Sequence, residues 1–187
     1  MVGRIRQDLR AATAAAHQRL HHHPVLAPLT KPNMTIEDYI FALRALYGLH
    51  RAADDRLAEC WPGRPRRAAH LAADLETLGV APETLSHVAE MPPAVTNAHF
   101  LGIRYVVDGS TFGARLLALN VKQALGLDAT SGARFLSASD GDTEWHALLM
   151  WLEQLEIPMG RDQACQAAER TFAAIERWLD QVASGAR

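Results

Sequence analysis

Cysteine is nearly absent from this 187-residue chain: Cys60 and Cys165 stand far apart, in no CxxC or other ligand spacing. That excludes a disulfide framework and a thiolate metal cluster, and both are expected as reduced thiols in the core or at its boundary. Lysine is almost as scarce, with only Lys31 and Lys122, so arginine carries nearly all the positive charge. Neither sign of charge dominates. A formal net charge of -2 and an isoelectric point near 6.5 leave no electrostatic footprint for nucleic acid. No apolar run approaches the ~20 residues of a membrane span. Asp8, Arg10 and His17 interrupt the N-terminus where a secretion signal needs an apolar block, so the expected location is cytoplasmic. Strand alternation and Asn-Gly hairpin signals are missing as well. The one basic cluster, "GRPRR" at Gly63 to Arg67, is expected as a solvated loop, with a docking patch for an acidic protein as the functional alternative.

What is abundant is apolar helical periodicity. Apolar residues make up 49% of the chain, enough for one domain with a substantial core. An amphipathic helix over 3–22 is ended by Pro24. "TIED" at Thr35 to Asp38 resembles a capping box and opens a helix running to about Glu59. A third helix spans about Arg66 to Leu78 with Gly79 placed to cap it, and a long one runs from about Asn97 to Gly126. "SGARFL" is a short helical turn, "GDTEWHALLMWLEQLE" a further helix, and Arg161 to about Val182 the last. The expectation is a single all-α domain, residues 1–187, of six to eight helices.

Four of the nine histidines fall in "LRAATAAAHQRLHHHP", Leu9 to Pro24. At about 100° per residue, Ile5, Leu9, Ala12, Ala16 and Leu20 form the buried side of the first helix. Arg6, Arg10, Thr13 and His17 form a polar stripe along its edge, spaced i, i+4, i+7, i+11. His17 thus sits between small alanines, with Arg10 two turns away, roughly 10 Å at 1.5 Å per residue. An imidazole and a guanidinium so spaced suit a haem, whose iron takes a neutral nitrogen and whose propionates take cations. A hydrogen-bonded structural histidine is the competing reading. The adjacent His21, His22 and His23 point about 100° apart and cannot converge on one metal. They read as a helix end, where partly charged imidazoles meet the carbonyl end of the dipole.

The second informative stretch is "YVVDGSTFGARLL", Tyr105 to Leu117. Gly109 and Gly113 interrupt an otherwise apolar helix, each at a cost of about 1 kcal/mol relative to alanine. At i and i+4 they share a face, which Ser110 leaves almost bare. Two explanations stay open: close packing on a neighbouring helix, or a backbone laid over a planar cofactor. Over a haem, bare glycines would offer no second iron ligand, and Ser110 is small enough to orient a water.

"LRAATAAAH" followed by "LGIRYVVDGSTFGARLL" resembles the haem oxygenases, especially the bacterial type found with bacteriophytochromes. Those proteins show "LR.AT...H" near the N-terminus and "YVLEGS.LG" in the distal helix. The order, the intervening length, "FL....G....W" at Phe135 to Trp145 and "A..TF....RWL" at Ala167 to Leu179 agree too. The resemblance implies an all-α haem-oxygenase-like bundle with haem between the first helix and a glycine-kinked distal helix. It implies His17 as the proximal iron ligand, Arg10 as a propionate contact, and Gly109 and Gly113 over the haem. Ser110 takes the position that is aspartate in mammalian relatives and serine in many bacterial ones. Thr13 and Phe112 are the other haem-contacting candidates, and Phe112 and Ala114 replace the commoner leucine and glycine, narrowing the pocket.

The implied reaction opens haem with oxygen and external electrons to biliverdin, carbon monoxide and ferrous iron. A reductase or ferredoxin would donate the electrons, and a bacteriophytochrome is a conceivable biliverdin acceptor. Arg104, Arg115, Arg161, Arg170 and Arg177 are further propionate candidates, each equally readable as a surface arginine. A rival with the same fold is a non-catalytic haem-binding, storage or sensing protein. A thiaminase-like hydrolase on similar helices would need a reactive cysteine, for which Cys60 and Cys165 give little support.

Overall fold

A computed structural model describes residues 3–82, 90–138, 141–155 and 158–185, with backbone alone at 111, 112 and 141–143. Its helices are α1 (Arg4–His21), α2 (Ile36–Ala58), α3 (Ala68–Thr77), α4 (Asn97–Gly109), α5 (Thr111–Leu125), α6 (Arg134–Ser137), α7 (Gly141–Glu153) and α8 (Pro158–Gly185). A 3₁₀ turn, Ala27–Thr30, follows α1. No strand occurs among the described residues, so the all-α expectation holds.

Local chemistry sets several boundaries where the sequence places them. Thr35 caps α2, accepting from the Asp38 amide at 3.1 Å, while Asp38 Oδ2 accepts from the Thr35 amide at 3.1 Å. Gly126 ends α5 at φ +72, and Gly79 follows α3 at φ +78, both left-handed positions that favour glycine. The short α6 depends on a distant residue. Buried Asp74 of α3 accepts from the Arg134 and Phe135 amides, both at 2.8 Å, satisfying donors that a four-residue helix cannot pair itself.

Two apolar cores result. The larger joins α1, α2, α4, α7 and α8 around Leu9, Leu49, Leu101, Leu148 and Leu179. The smaller joins α2, α3, α5, α6 and the 3₁₀ turn around Tyr39, Leu43, Leu71, Val121 and Phe135. The long helix expected from Asn97 to Gly126 is therefore two: α4 packs on α8, α5 on α6 and the 3₁₀ turn, and the chain breaks at Ser110 between them. The chain changes core at its glycines, so one continuous straight helix could not keep both halves packed.

Three other expectations need correcting. "GRPRR" is not a solvated loop throughout: Arg64 and Arg67 are buried, and only the flanking Arg66 is exposed with an ion-pair partner, Asp55. Arg104 is no surface residue but fully buried, at 0% exposure. The last helix starts at Pro158 rather than Arg161, since proline fits the first turn.

Candidate functional site

The polar stripe of α1 is present but uneven in depth. Ile5 and Leu9 are buried as expected, while Ala12, Ala16 and Leu20 are only half-buried. Arg6 pairs with Glu153 of α7 at 3.2 Å, and Arg10 is exposed. Thr13 turns inward: it is buried, and its hydroxyl donates to the Leu9 carbonyl at 2.7 Å. His17 is exposed, with the ring of Phe172 from α8 edge-on at 6.2 Å. Partial burial, then the neighbouring His21, hold the His17 imidazole below its ordinary pKa, which keeps it neutral and able to ligate at pH 7.

The three consecutive histidines diverge, as their angular spacing requires. His21 packs against His17 with ring centroids 4.6 Å apart, and His22 meets Gln18. His23 accepts from the Val25 amide and pairs with Asp180 of α8 at 3.2 Å. Among the described residues no group of three or more His, Cys, Asp or Glu could hold a metal ion.

On the other helices, Tyr105, Gly109 and Gly113 follow one another at intervals of four. A Cβ at Gly113 would meet nothing within 4 Å, and one at Gly109 only the Trp145 ring at 3.3 Å. The glycine that buys close helix contact is a different one. A Cβ at Gly102 would collide with the Ala164 carbonyl of α8. The bare face at Gly113 is thus open rather than packed. Ser110 is exposed, and its hydroxyl donates to the Val107 carbonyl at 2.7 Å. The side chain of Phe112 falls outside the described residues.

Two features bring the stripes near each other. Tyr105 is half-buried, which raises its pKa, and the Arg10 charge opposes that rise, so Arg10 of α1 lies within electrostatic reach of α4. Tyr105 also packs on Trp145 at 5.7 Å between centroids, completing a wall beside Gly109. At the far end Asn120 of α5 donates to the Leu29 and Lys31 carbonyls at 2.8 and 3.0 Å, clipping α5 to the turn that follows α1. Between these ties no extensive packing joins α1 to α5 among the described residues. Tyr105 and Asn120 escaped the sequence reading. Only Tyr105 left a signal, its position one turn before Gly109.

A second polar group lies beneath α4. Arg64 Nη1 and Nη2 donate to Asp54 Oδ1 and Asp108 Oδ1, both at 2.6 Å, and Arg104 Nε donates to Asp108 Oδ2 at 2.8 Å. All four residues are buried. The Arg104 guanidinium also lies over Trp61 at 4.6 Å and Trp151 at 5.4 Å. Arg104 is therefore committed to Asp108 and the two tryptophans. Arg115, Arg170 and Arg177 are exposed, and Arg161 is half-buried. A cavity of about 460 Å³ lined by Trp61, Phe100, Trp151 and Gln154 shares no residue with the α1 stripe or the glycine stretch. Cys165 is pushed up to about 11, chiefly by burial and then by Asp8, so it is a poor nucleophile at neutral pH.

Among the described residues no helix is long and apolar enough to cross a membrane. No protein-family model matches the chain, and no curated protein matches its sequence. Among solved structures, the haem oxygenase of Neisseria meningitidis, known in NO- and CO-bound forms, superposes with a TM-score of 0.74 at 24% identity. The match covers 97% of this chain and 92% of that one. In architecture and in helix order, this chain has the haem oxygenase fold.

Proposed function

We propose that the protein is a haem oxygenase, degrading haem with oxygen and electrons from a separate donor to biliverdin, carbon monoxide and ferrous iron. The observation that carries this reading is a pairing on that fold. An exposed, neutral imidazole stands on α1, and a glycine face with open space where a Cβ would be stands on α5.

The residues fit the group. His17 offers a nitrogen lone pair for the iron, and its depressed pKa keeps that lone pair free of a proton. Arg10 offers an exposed guanidinium to the propionate carboxylates. Gly113 presents backbone with open space where a Cβ would be, and Gly109 presents backbone beside the Trp145 ring, so neither offers a second iron ligand. When bound, haem supplies the iron at which oxygen reacts and the ring that is consumed. The chain supplies ligation, orientation and proton handling. With its hydrogen directed at Val107, the Ser110 hydroxyl keeps lone pairs to accept from a water that carries protons. Thr13, buried with its hydroxyl hydrogen on the Leu9 carbonyl, has no hydrogen left to offer a ligand. Phe112 is proposed as a haem contact from its place in the glycine stretch. A reductase or ferredoxin as donor, a bacteriophytochrome as acceptor and a cytoplasmic location belong to the same proposal.

The commitment of the Ser110 hydrogen to Val107 also favours a second reading, a haem storage or sensing protein on this fold. One experiment separates the two. Haemin-reconstituted protein is supplied with ascorbate or a reductase under oxygen, and the product is identified by chromatography. Biliverdin supports the oxygenase, and a stable oxygen complex supports storage or sensing. His17→Ala is expected to lower haemin affinity by about 10–100-fold and to alter the ferric spectrum. An unchanged affinity and spectrum would remove His17 from the site.

A further inference from the structure

The charge group beneath α4 touches neither stripe, yet it holds the residue that precedes Gly109. Asp108 lies in the last turn of α4, where the helix dipole disfavours a carboxylate, and it is buried, which costs still more unless it is paired. Arg104 takes one oxygen but belongs to the same helix, and its links outward are a 3.5 Å contact to the Glu144 carbonyl and its stacking over Trp61 and Trp151, none of them to a carboxylate. Arg64 takes the other oxygen from outside. Its second nitrogen is fixed by Asp54 of α2, whose remaining oxygen accepts from the Ala68 amide at 2.8 Å. A rigid fork thus ties the end of α4 to α2 and to the start of α3.

Beyond that tie few contacts appear among the described side chains. A Cβ at Gly113 would meet nothing within 4 Å, one at Gly109 would meet the Trp145 ring, and Ser110 bonds within its own turn. The helices on either side belong to different cores. The angle between them is set through the flanks, and on the α4 side Asp108 is a residue anchored from outside its helix.

We propose that Arg64 is a positioning residue for the glycine segment, fixing through Asp108 how closely the Gly109–Gly113 backbone approaches a ligand laid on it. The ligand side of this rests on the haem oxygenase reading, and the anchoring does not. Lysine at 64 keeps the charge but cannot hold both carboxylates in one fork.

The test uses the full-length chain. In Arg64→Lys without haem, amide hydrogen exchange over residues 108–113 is expected to quicken about tenfold while α8 is unchanged. With haemin added, the ratio of high-spin to low-spin ferric bands is expected to shift. Arg66→Ala, in the same loop but paired at the surface with Asp55, should change neither. Unchanged exchange at 108–113 overturns the proposal, and so does equal quickening in every helix, which would mark a purely structural arginine. Local quickening with an unaltered spectrum overturns the positioning role. If Arg64→Lys does not fold, Asp54→Asn, which removes the carboxylate charge and sets an amide nitrogen against either Arg64 or the Ala68 amide, is read by the same two measurements. If the wild type takes up no haemin, the haem oxygenase reading fails, and the exchange pattern still decides the anchoring.

Discussion

A methyl group added at Gly113 meets open space, whereas one added at Gly102 runs into the Ala164 carbonyl. The same substitution should therefore have opposite consequences eleven residues apart on two joined helices. Gly113→Ala relieves a helix-interior glycine, and thermal unfolding should show the haem-free protein more stable by up to about 1 kcal/mol. The same methyl projects into the space assigned to haem, so haemin affinity or ring opening should fall in the stabilised variant. Gly102→Ala should lower the melting temperature, because the α4–α8 contact can open only by moving backbone. If Gly113→Ala gained stability with no loss of haem binding or turnover, the glycine face would not be the ligand's floor. His17 acts at the same scale. Partial burial first, and then His21, lower its pKa further below the ordinary 6.5, so the neighbouring His21 contributes to keeping the ring unprotonated.

At the scale of elements, much was legible and the reasons can be named. Capping and termination are local, so Thr35 with Asp38, Gly126 and Gly79 could be read from neighbours in sequence. The break at Ser110 was only half legible. Two glycines signalled that the helix could bend, but that it must bend depends on two cores formed by distant helices. Burial of Arg64 and Arg104 was invisible because each is paired across long sequence separations, and an arginine without a known partner reads as surface. Of the candidate site, helical spacing made legible that His17 and Arg10 share one edge of α1 and that Gly109 and Gly113 share a face, while their haem roles rest on the family resemblance. The Asn120 clip was not, since its acceptors are backbone carbonyls ninety residues away. That clip carries its own expectation. Asn120→Ala removes two hydrogen bonds, one of them part-buried, and should cost about 1–2 kcal/mol in denaturant unfolding. It should also speed haemin dissociation, by freeing α5 from the turn after α1. Stability lost with dissociation unchanged would place Asn120 in the scaffold alone.

For the molecule as a whole, the second buried cluster sets how the fold responds to acid. His50 is fully buried on α2, edge-on to Phe135 at 4.9 Å, and its Nδ1 has no hydrogen-bond partner among the described residues. Arg67 lies over that same Phe135 ring at 5.0 Å, and Arg64 is close by. Burial first, and then these two cations, hold the His50 pKa well below the ordinary 6.5. A base whose pKa falls on folding binds more protons in the unfolded chain. Stability is therefore undiminished above about pH 6.5 and is lost as pH falls from there towards the folded value. Within that window the loss reaches up to about 1.4 kcal/mol per pH unit. Between pH 6.5 and 5.5 the unfolded imidazole is only partly protonated and the loss is about 1 kcal/mol, which for a chain of this length is a melting temperature lower by roughly 2–4 °C. The raised pKa values of buried Asp54 and Asp74 act with the opposite sign, since protons bound on folding favour the native state as pH falls. They do so at lower pH, between the ordinary carboxylate value and their folded ones, and so leave the upper part of the window to histidine. His50→Leu removes this titration while keeping an apolar side chain against Phe135. Its melting temperature should fall by less than the wild type's between pH 7.5 and 5.5, although the exposed histidines titrate in both proteins. Equal falls would show that His50 accepts its proton in the folded state as readily as in the unfolded one, and that the two arginines do not govern it.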